Sequence, residues 1–558
     1  MLSLLTRFSL FAPLVLLVAC ASVEPAAFSP EIEAAVAAAE TAGDDAARLR
    51  ADIAWLADDA REGREAGAQG YVQAAQYVAA RMASLGLQPG VDGGWFQEVP
   101  FVSGTQIGDA SAFSITGPDG ETVDLAYLDD FRIFPSLAAP SFDIENAEAV
   151  FVGYGVHAPE FGYDDYEGVD ADGKVVVYFS GAPDIFDTES RAHFKSNALK
   201  MQTASERGAV GVISLYTAET EKSYPWERFI AHPDYASMTW IGPDGRPDIS
   251  GPTIKARAVA HPDAAPLLFE GAAHSYAESR AAADGEGAPV GSFDLAATVS
   301  LASAMEMERV TSPNVAGLIP GADPELKDEY VILTAHLDHI GVNEKLIADG
   351  EDGINNGAMD NATGVATLLQ VAADFMAGEA PARSVMIVAV TAEEKGLLGA
   401  DYFAHFPPIG DGEMVANVNL DMPVMLHDFT DVIAFGAERS SIGPVMEAAL
   451  EAEGVKLTPD PIPELGVFTR SDHYAFVKQG VPSIFLWTGF DNGGEEMFWE
   501  FYKNHYHRPS DDISQPIRYD ALARFADVNF VIADALANAP DRPTWNEGDF
   551  FGDLFGKE

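Results

Sequence analysis

Apolar residues recur at three- and four-residue spacing between Asp45 and Leu87. Leu49, Ile53 and Leu56 form one series and Tyr71, Ala75, Val78, Met82 and Leu85 a second, which predicts two amphipathic helices. Gly86, Pro89, Gly90, Gly93 and Gly94 end the second, and Glu62–Gly67 separates the pair. Phe96–Phe101 reads as a strand. Thr105–Asp130 carries short alternating runs about a Gly-Pro-Asp-Gly turn, the pattern of a small hairpin. Ala147–Gly155, Lys174–Phe179 and Val210–Leu215 are predicted strands, and Lys195–Arg207 a helix. From there to about Ser300 the chain is rich in Pro, Gly and Ala.

The second half alternates more regularly. Strands are predicted at Tyr330–Ala335, Ser384–Thr391, Val415–Leu420 and Val481–Leu486. Helices are predicted at Thr363–Phe375, from Leu397, at Ile442–Glu453 and at Tyr519–Leu536. Such alternation implies an α/β fold with a mainly parallel central sheet flanked by helices on both faces.

Candidate chemistry follows the strands. His336, Asp338 and His339 come after the first, Glu393 and Glu394 after the second, and Asp421 after the third. In open α/β sheets ligands bind at the carboxyl ends of strands, so three strands deliver metal-type ligands to one edge. Two further candidates lie in loops, Asp360 in Gly357–Gly364 and His507 in His505–Asp512. His336, Asp360, Glu394, Asp421 and His507 suit two divalent cations, with one carboxylate bridging them. Zinc fits a His/carboxylate set. Adjacent side chains diverge, so one of Glu393 and Glu394 can ligate while the other faces substrate as general base and then general acid. Asp338, two residues past His336, is expected to fix that ring by a hydrogen bond.

Charge narrows the partners. Of 558 residues, 33 are Lys or Arg and 87 Asp or Glu, a net charge of -54. Nucleic acid and anionic membrane surfaces are therefore not expected partners. The single cysteine, Cys20, excludes an intrachain disulfide and a cysteine metal site. It follows Arg7, the apolar run Phe8–Val18 and Ala19, a pattern that resembles a bacterial lipobox. Residues 1–20 are then a lipoprotein-type signal peptide, with Cys20 the lipidated first residue of the mature chain. Ala21 in place of Asp resembles outer-membrane sorting. No second apolar run reaches spanning length, so the expected location is the cell envelope, with attachment by lipid alone.

Taken together, Ala335–Asp338, Gly357–Gly364, Thr391–Gly399, Asn419–Met422, Ser471–His473 and Tyr506-His507 resemble, in order, the motifs of the co-catalytic zinc aminopeptidases of peptidase clan MH. Glu62–Gly67 and its flanking helices resemble that family's N-terminal segment. The resemblance implies a zinc exopeptidase fold and two zinc ions per chain. Asp360 would bridge them, His336 and Asp421 complete one site, Glu394 and His507 the other, and Glu393 match the general base. It implies removal of N-terminal residues from peptide substrates by attack of a metal-bound hydroxide. Glutamate-carboxypeptidase-like and dipeptidase activities share the fold, as does a glutaminyl cyclase, which needs only one zinc; a non-catalytic binding protein is the reading outside enzymes. Tyr166–Lys174 and Ala204–Leu215 resemble an inserted, β-rich protease-associated domain. The expected organisation is a tether over 21–44, a peptidase domain over 45–140 and 301–540, the inserted domain over 141–300, and a tail over 541–558.

Overall fold

The computed structural model describes residues 28–231, 235–287 and 289–557; the leader and Cys20 lie outside them. Four parallel strands form the centre of the main sheet. Glu329–His336 lies between Ser384–Val390 and Glu413–Asn419, and Ser483–Thr488 continues beyond the latter. Every residue of Ser384–Val390 and of Ser483–Thr488 is buried, as expected of strands covered on both faces. One face is covered by Gln69–Leu85, Thr363–Ala377 and Tyr519–Asn538, the other by Leu398–His405 and His473–Val477. Antiparallel strands extend both edges, so the sheet is mixed and mostly parallel.

A second, smaller core gathers Phe113, Phe131, Phe151, Val177, Ile213 and Leu301. Its parallel centre is Ser141–Phe151, Val175–Phe179, Gly211–Leu215 and Ala256–Ala260. The units share one 27-residue strand, Phe293–Ile319. Its first half pairs with Ser141–Phe151 in the small unit, its second with Ser384–Val390 in the large one. The expected boundaries shift accordingly. Phe113, Ile115, Phe131 and Ile133 precede residue 141 yet belong to the second core. Ser237–Trp240, inside the expected insertion, pairs with Phe96–Gln106 of the main sheet.

Both the tether segment and the tail segment pack on the core. Within the 21–44 tether, Pro30–Glu40 is a helix capped by Ser29, and its stripe Ile32, Val36 and Ala39 is buried. Within the 541–558 tail, Phe550–Phe555 is a helix with Phe551 fully buried. In each case an apolar stripe on a short segment finds a groove of the main core, which outweighs the local Ala- or Gly-rich composition.

The small unit touches the large one beside what proves to be the site. Its helix Thr188–Phe194 packs on residues 463–469. There the Tyr474 hydroxyl and His193 Nδ1 share a hydrogen bond of 2.6 Å, and burial holds that imidazole down at about 4. Arg439 joins Glu189 of this helix to Asp549 of the C-terminal one. Gly466, at φ +58, has Ala192 so close that a Cβ would lie 2.6 Å from its methyl. Within the large unit, Trp240 Nε1 donates to Asp401 Oδ2 at 2.9 Å.

Lys200 gives the small unit a pH signature. The side chain is fully buried, donates to the carbonyls of Phe179 and Gly181, and faces the Tyr178 ring. Burial pushes its pKa down to about 7. Between that value and the ordinary one, the unfolded chain holds a proton that the folded chain has shed, so stability rises with pH, by at most about 1.4 kcal/mol per pH unit. Denaturant titrations from pH 7 to 9 should show this slope in the wild type and its loss in Lys200→Met. Parallel curves would mean that Lys200 stays charged throughout.

Candidate metal centre and active site

His336 ends its strand with the ring 1% exposed. Its Nδ1–H donates to the backbone carbonyl of Asp338 at 3.1 Å. This corrects the expected contact: the main chain of Asp338 orients the ring. The Asp338 carboxylate instead accepts from the backbone N–H groups of Glu393 and Glu394 at 3.1 and 3.2 Å. The chain turns back after His336, which carries the Asp338 side chain away from the imidazole and under the neighbouring strand's loop. Burial raises that carboxyl to about 6.

With Nδ1 committed, the His336 Nε2 lone pair faces Asp421 Oδ1 at 3.0 Å and Asp360 Oδ1 at 3.2 Å. Acceptor facing acceptor is stable only with a proton or a cation between them. On the far side of Asp360, His507 Nε2 lies 3.2 Å from Asp360 Oδ2 and 3.2 Å from Glu394 Oε2. The five residues proposed as metal ligands therefore converge, with Asp360 common to both halves. Each half is a nitrogen and carboxylate set without thiolate, which fits zinc.

His339 is a donor that motif reasoning passed over. Its ring is fully buried, Nδ1 lies 2.7 Å from Glu394 Oε1, and Nε2 has no hydrogen-bond partner. Two trios have ligand atoms within 4.8 Å of one another, His336/Asp360/Asp421 and His339/Asp360/Glu394. The second half thus holds two imidazoles: His339, enclosed, and His507, with its side chain 36% exposed. The sequence signal was present, since His339 stands three residues past His336 at the same strand end.

The loops bearing these groups are tied together from beneath. Asp511 accepts from the N–H groups of Met359 and Asp360 at 2.8 and 3.0 Å, and its burial raises it to about 7. Asn361 donates to Leu420 O and accepts from Met422 N, joining the Asp360 loop to the Asp421 strand. Ser471 Oγ donates to Asp421 Oδ2 at 2.6 Å and itself accepts from Asn419. Arg64 is fully buried. Its guanidinium donates to the carbonyls of Leu56, Leu337, Asn356 and Gly357. Burial lowers it to about 10, opposed by Asp511, Asp360, Asp338 and Glu394. Glu62, Gly63 and Arg64 all have positive φ. That turn inserts Arg64, and a Cβ on Gly63 would come within 2.5 Å of Asn355 O. Ala392, Met422 and His507 also have positive φ. Such strain costs of order 1–3 kcal/mol per residue and gathers at functional sites.

A partly open cleft of about 530 Å³ leads to this centre. It is lined by His336, Asp360, Glu393 and Asp421 at one end, and by Met422, Leu465, Val467, Phe485 and Trp487 along an apolar wall. Glu393 faces the cleft while Glu394 turns to the histidines, as adjacent side chains should. Burial, then repulsion from Glu394, Asp421 and Asp472, pushes the Glu393 carboxyl well above its usual range, against the pull of His336. In effect the site has one carboxylate poised to take a proton beside a set poised to hold cations.

Residues 314–533 match Peptidase family M28. The fold is that of an aminopeptidase from Aneurinibacillus sp. strain AM-1, with 20% identity, 91% of this chain and 97% of that one covered, and a TM-score of 0.50. BSAP, a zinc aminopeptidase from Bacillus subtilis, aligns at 18% identity over 87% and 93% of the two chains, with a TM-score of 0.41. A Peptidase M28 precursor from Shewanella amazonensis SB2B aligns at 16% identity over 92% and 98%, with a TM-score of 0.40. No curated protein matches the chain.

Asp360 is the group both halves depend on. Asp360→Ala should lower metal content measured by elemental analysis to at most one ion per chain, with activity near background. A variant purified with two tightly held ions would exclude a shared role for this carboxylate.

Proposed function

We propose that the chain is a two-zinc exopeptidase that removes N-terminal residues from peptides. The observation that carries this reading is the single buried carboxylate, Asp360, shared by two His/carboxylate sets, with Glu393 beside them in the cleft. His336 and Asp421 would hold one ion with Asp360; Glu394 and His507 would hold the other with the same bridge, and His339 would orient Glu394. The chemistry a bound zinc pair supplies is Lewis acidity, which activates water and polarises the scissile carbonyl.

The chain's own residues do the rest. Glu393 accepts the proton of the attacking water and returns it to the departing amine, a role that suits a carboxyl with a raised pKa. Asp338 holds the main chain of Glu393 and Glu394 in register, so the base and the ligand keep their opposite directions. Asp421, fixed by Ser471, borders the cleft where a free α-amine would find negative charge. The apolar wall takes the side chain of the first residue. The small unit, read as a protease-associated domain, supports that wall through Gly466 and narrows access to it. Export and lipid attachment through Cys20 complete the proposal, on the leader pattern alone. No helix among the described residues is long and apolar enough to cross a membrane.

Two measurements test it. Glu393→Gln keeps size and loses the base, so kcat should fall by about two to four powers of ten while both ions stay bound. Near wild-type turnover would remove Glu393 from proton transfer. Short peptides with free amino termini should be trimmed one residue at a time, and N-acetylated versions should be slower by roughly tenfold to a hundredfold. Equal rates followed by mass spectrometry, or internal cuts, would defeat N-terminal trimming; release of the last residue would make the site a carboxypeptidase.

A further inference from the structure

The cleft is lined by an arginine, Arg470, that no carboxylate among the described residues pairs with. Arg470 lines the same cavity as Glu393, His336 and the apolar wall. It lies one residue before Ser471, which holds Asp421. Its side chain is exposed, and its only hydrogen bond is from its backbone N–H to Val467 O at 3.0 Å. Among the described residues no carboxylate lies within 4.0 Å of its guanidinium, although acidic residues outnumber basic ones 87 to 33. Arg439, on the other side of the same 463–470 segment, pairs with three carboxylates, Glu189, Glu438 and Asp549. An arginine left unpaired in so acidic a chain, and placed inside the reaction cleft, has its fork of donors free for an anion from the substrate.

We propose that Arg470 recognises a carboxylate on the peptide, so that the site selects short peptides carrying an anionic group within a residue or two of the scissile bond. This rests on the exopeptidase reading above and names the substrate class for it. An extended chain advances about 3.3–3.6 Å per residue, so a group contacting Arg470 cannot be far from the carbonyl attacked near Glu393. Long-range attraction does not bring the anion there, because the net charge of -54 repels it. That repulsion is screened beyond about 8 Å at physiological salt, which leaves the local contact to decide. The carboxylate has two possible sources, the α-carboxylate of a di- or tripeptide and an acidic side chain.

Paired substrates separate them. Leu-Ala against Leu-Ala-amide reads the α-carboxylate; Glu-Ala-amide against Gln-Ala-amide reads the side chain. The acid member of at least one pair should be preferred in kcat/KM by about tenfold, mainly through KM. In Arg470→Met that ratio should fall to about one, and Arg470→Lys should restore part of it. A merely structural arginine would change both members of a pair together and leave the ratio intact, which would overturn the proposal, as would no preference in either pair. If no peptide were hydrolysed, the exopeptidase reading would fail by itself. Calorimetric binding of Leu-Ala against Leu-Ala-amide, wild type against Arg470→Met, would then still decide the role of Arg470.

Discussion

Four carboxylates, Asp360, Glu393, Glu394 and Asp421, are brought to one buried point, and their repulsion is the constraint the rest of the protein answers. Two like charges at 4 Å cost about 4 kcal/mol even at an effective dielectric constant of 20. The fold holds these groups through hydrogen bonds to their loops and through facing imidazoles. Asp511 grips the main chain of the Asp360 loop, Ser471 the oxygen of Asp421, and the imidazoles of His336, His339 and His507 face the remaining oxygens. Arg64 contributes a buried positive charge whose hydrogen bonds all go to backbone carbonyls, so it offsets the field without occupying a carboxylate. Charge held this way stays available to a cation.

The same constraint explains the shape of the loops. Ligand-bearing residues leave parallel strands at one edge, and each must turn sharply to point inward. Positive φ at Ala392, Met422 and His507 is where those turns are made. The surrounding packing pays for them, through a sheet whose central strands are buried throughout.

The small unit is more than an appendage. One continuous strand, Phe293–Ile319, belongs to both sheets, which resists bending between them. The helix Thr188–Phe194 then backs the segment that forms the cleft wall and carries Arg470. The large unit thus supplies the carboxylates, the histidines and the cleft wall, and the small unit packs behind residues 463–469 of that wall.

Much of the peptidase half was legible before any coordinates. Buried strands such as Ser384–Val390 are continuous apolar runs, and Thr363–Ala377 repeats at helical spacing, so their local pattern and final environment agree. The convergence of His336, Glu393, Glu394 and Asp421 was legible too, because parallel strands deliver their carboxyl ends to one edge, whereas Asp360 and His507, in loops, were singled out by motif resemblance. What followed from contacts distant in sequence was not. Phe293–Ile319 alternates one way in the small unit and is buried on both faces in the large one, and no single period describes it. Pro30–Glu40 and Phe550–Phe555 look like linkers until a groove in the core receives them. Asp338 turned from its histidine to the backbone of the next loop, and His339 became a neighbour of Glu394. Local sequence determined which elements formed and which chemistry they carried. Only tertiary structure decided which acceptor met which donor, because those pairings join strands and loops fifty or more residues apart.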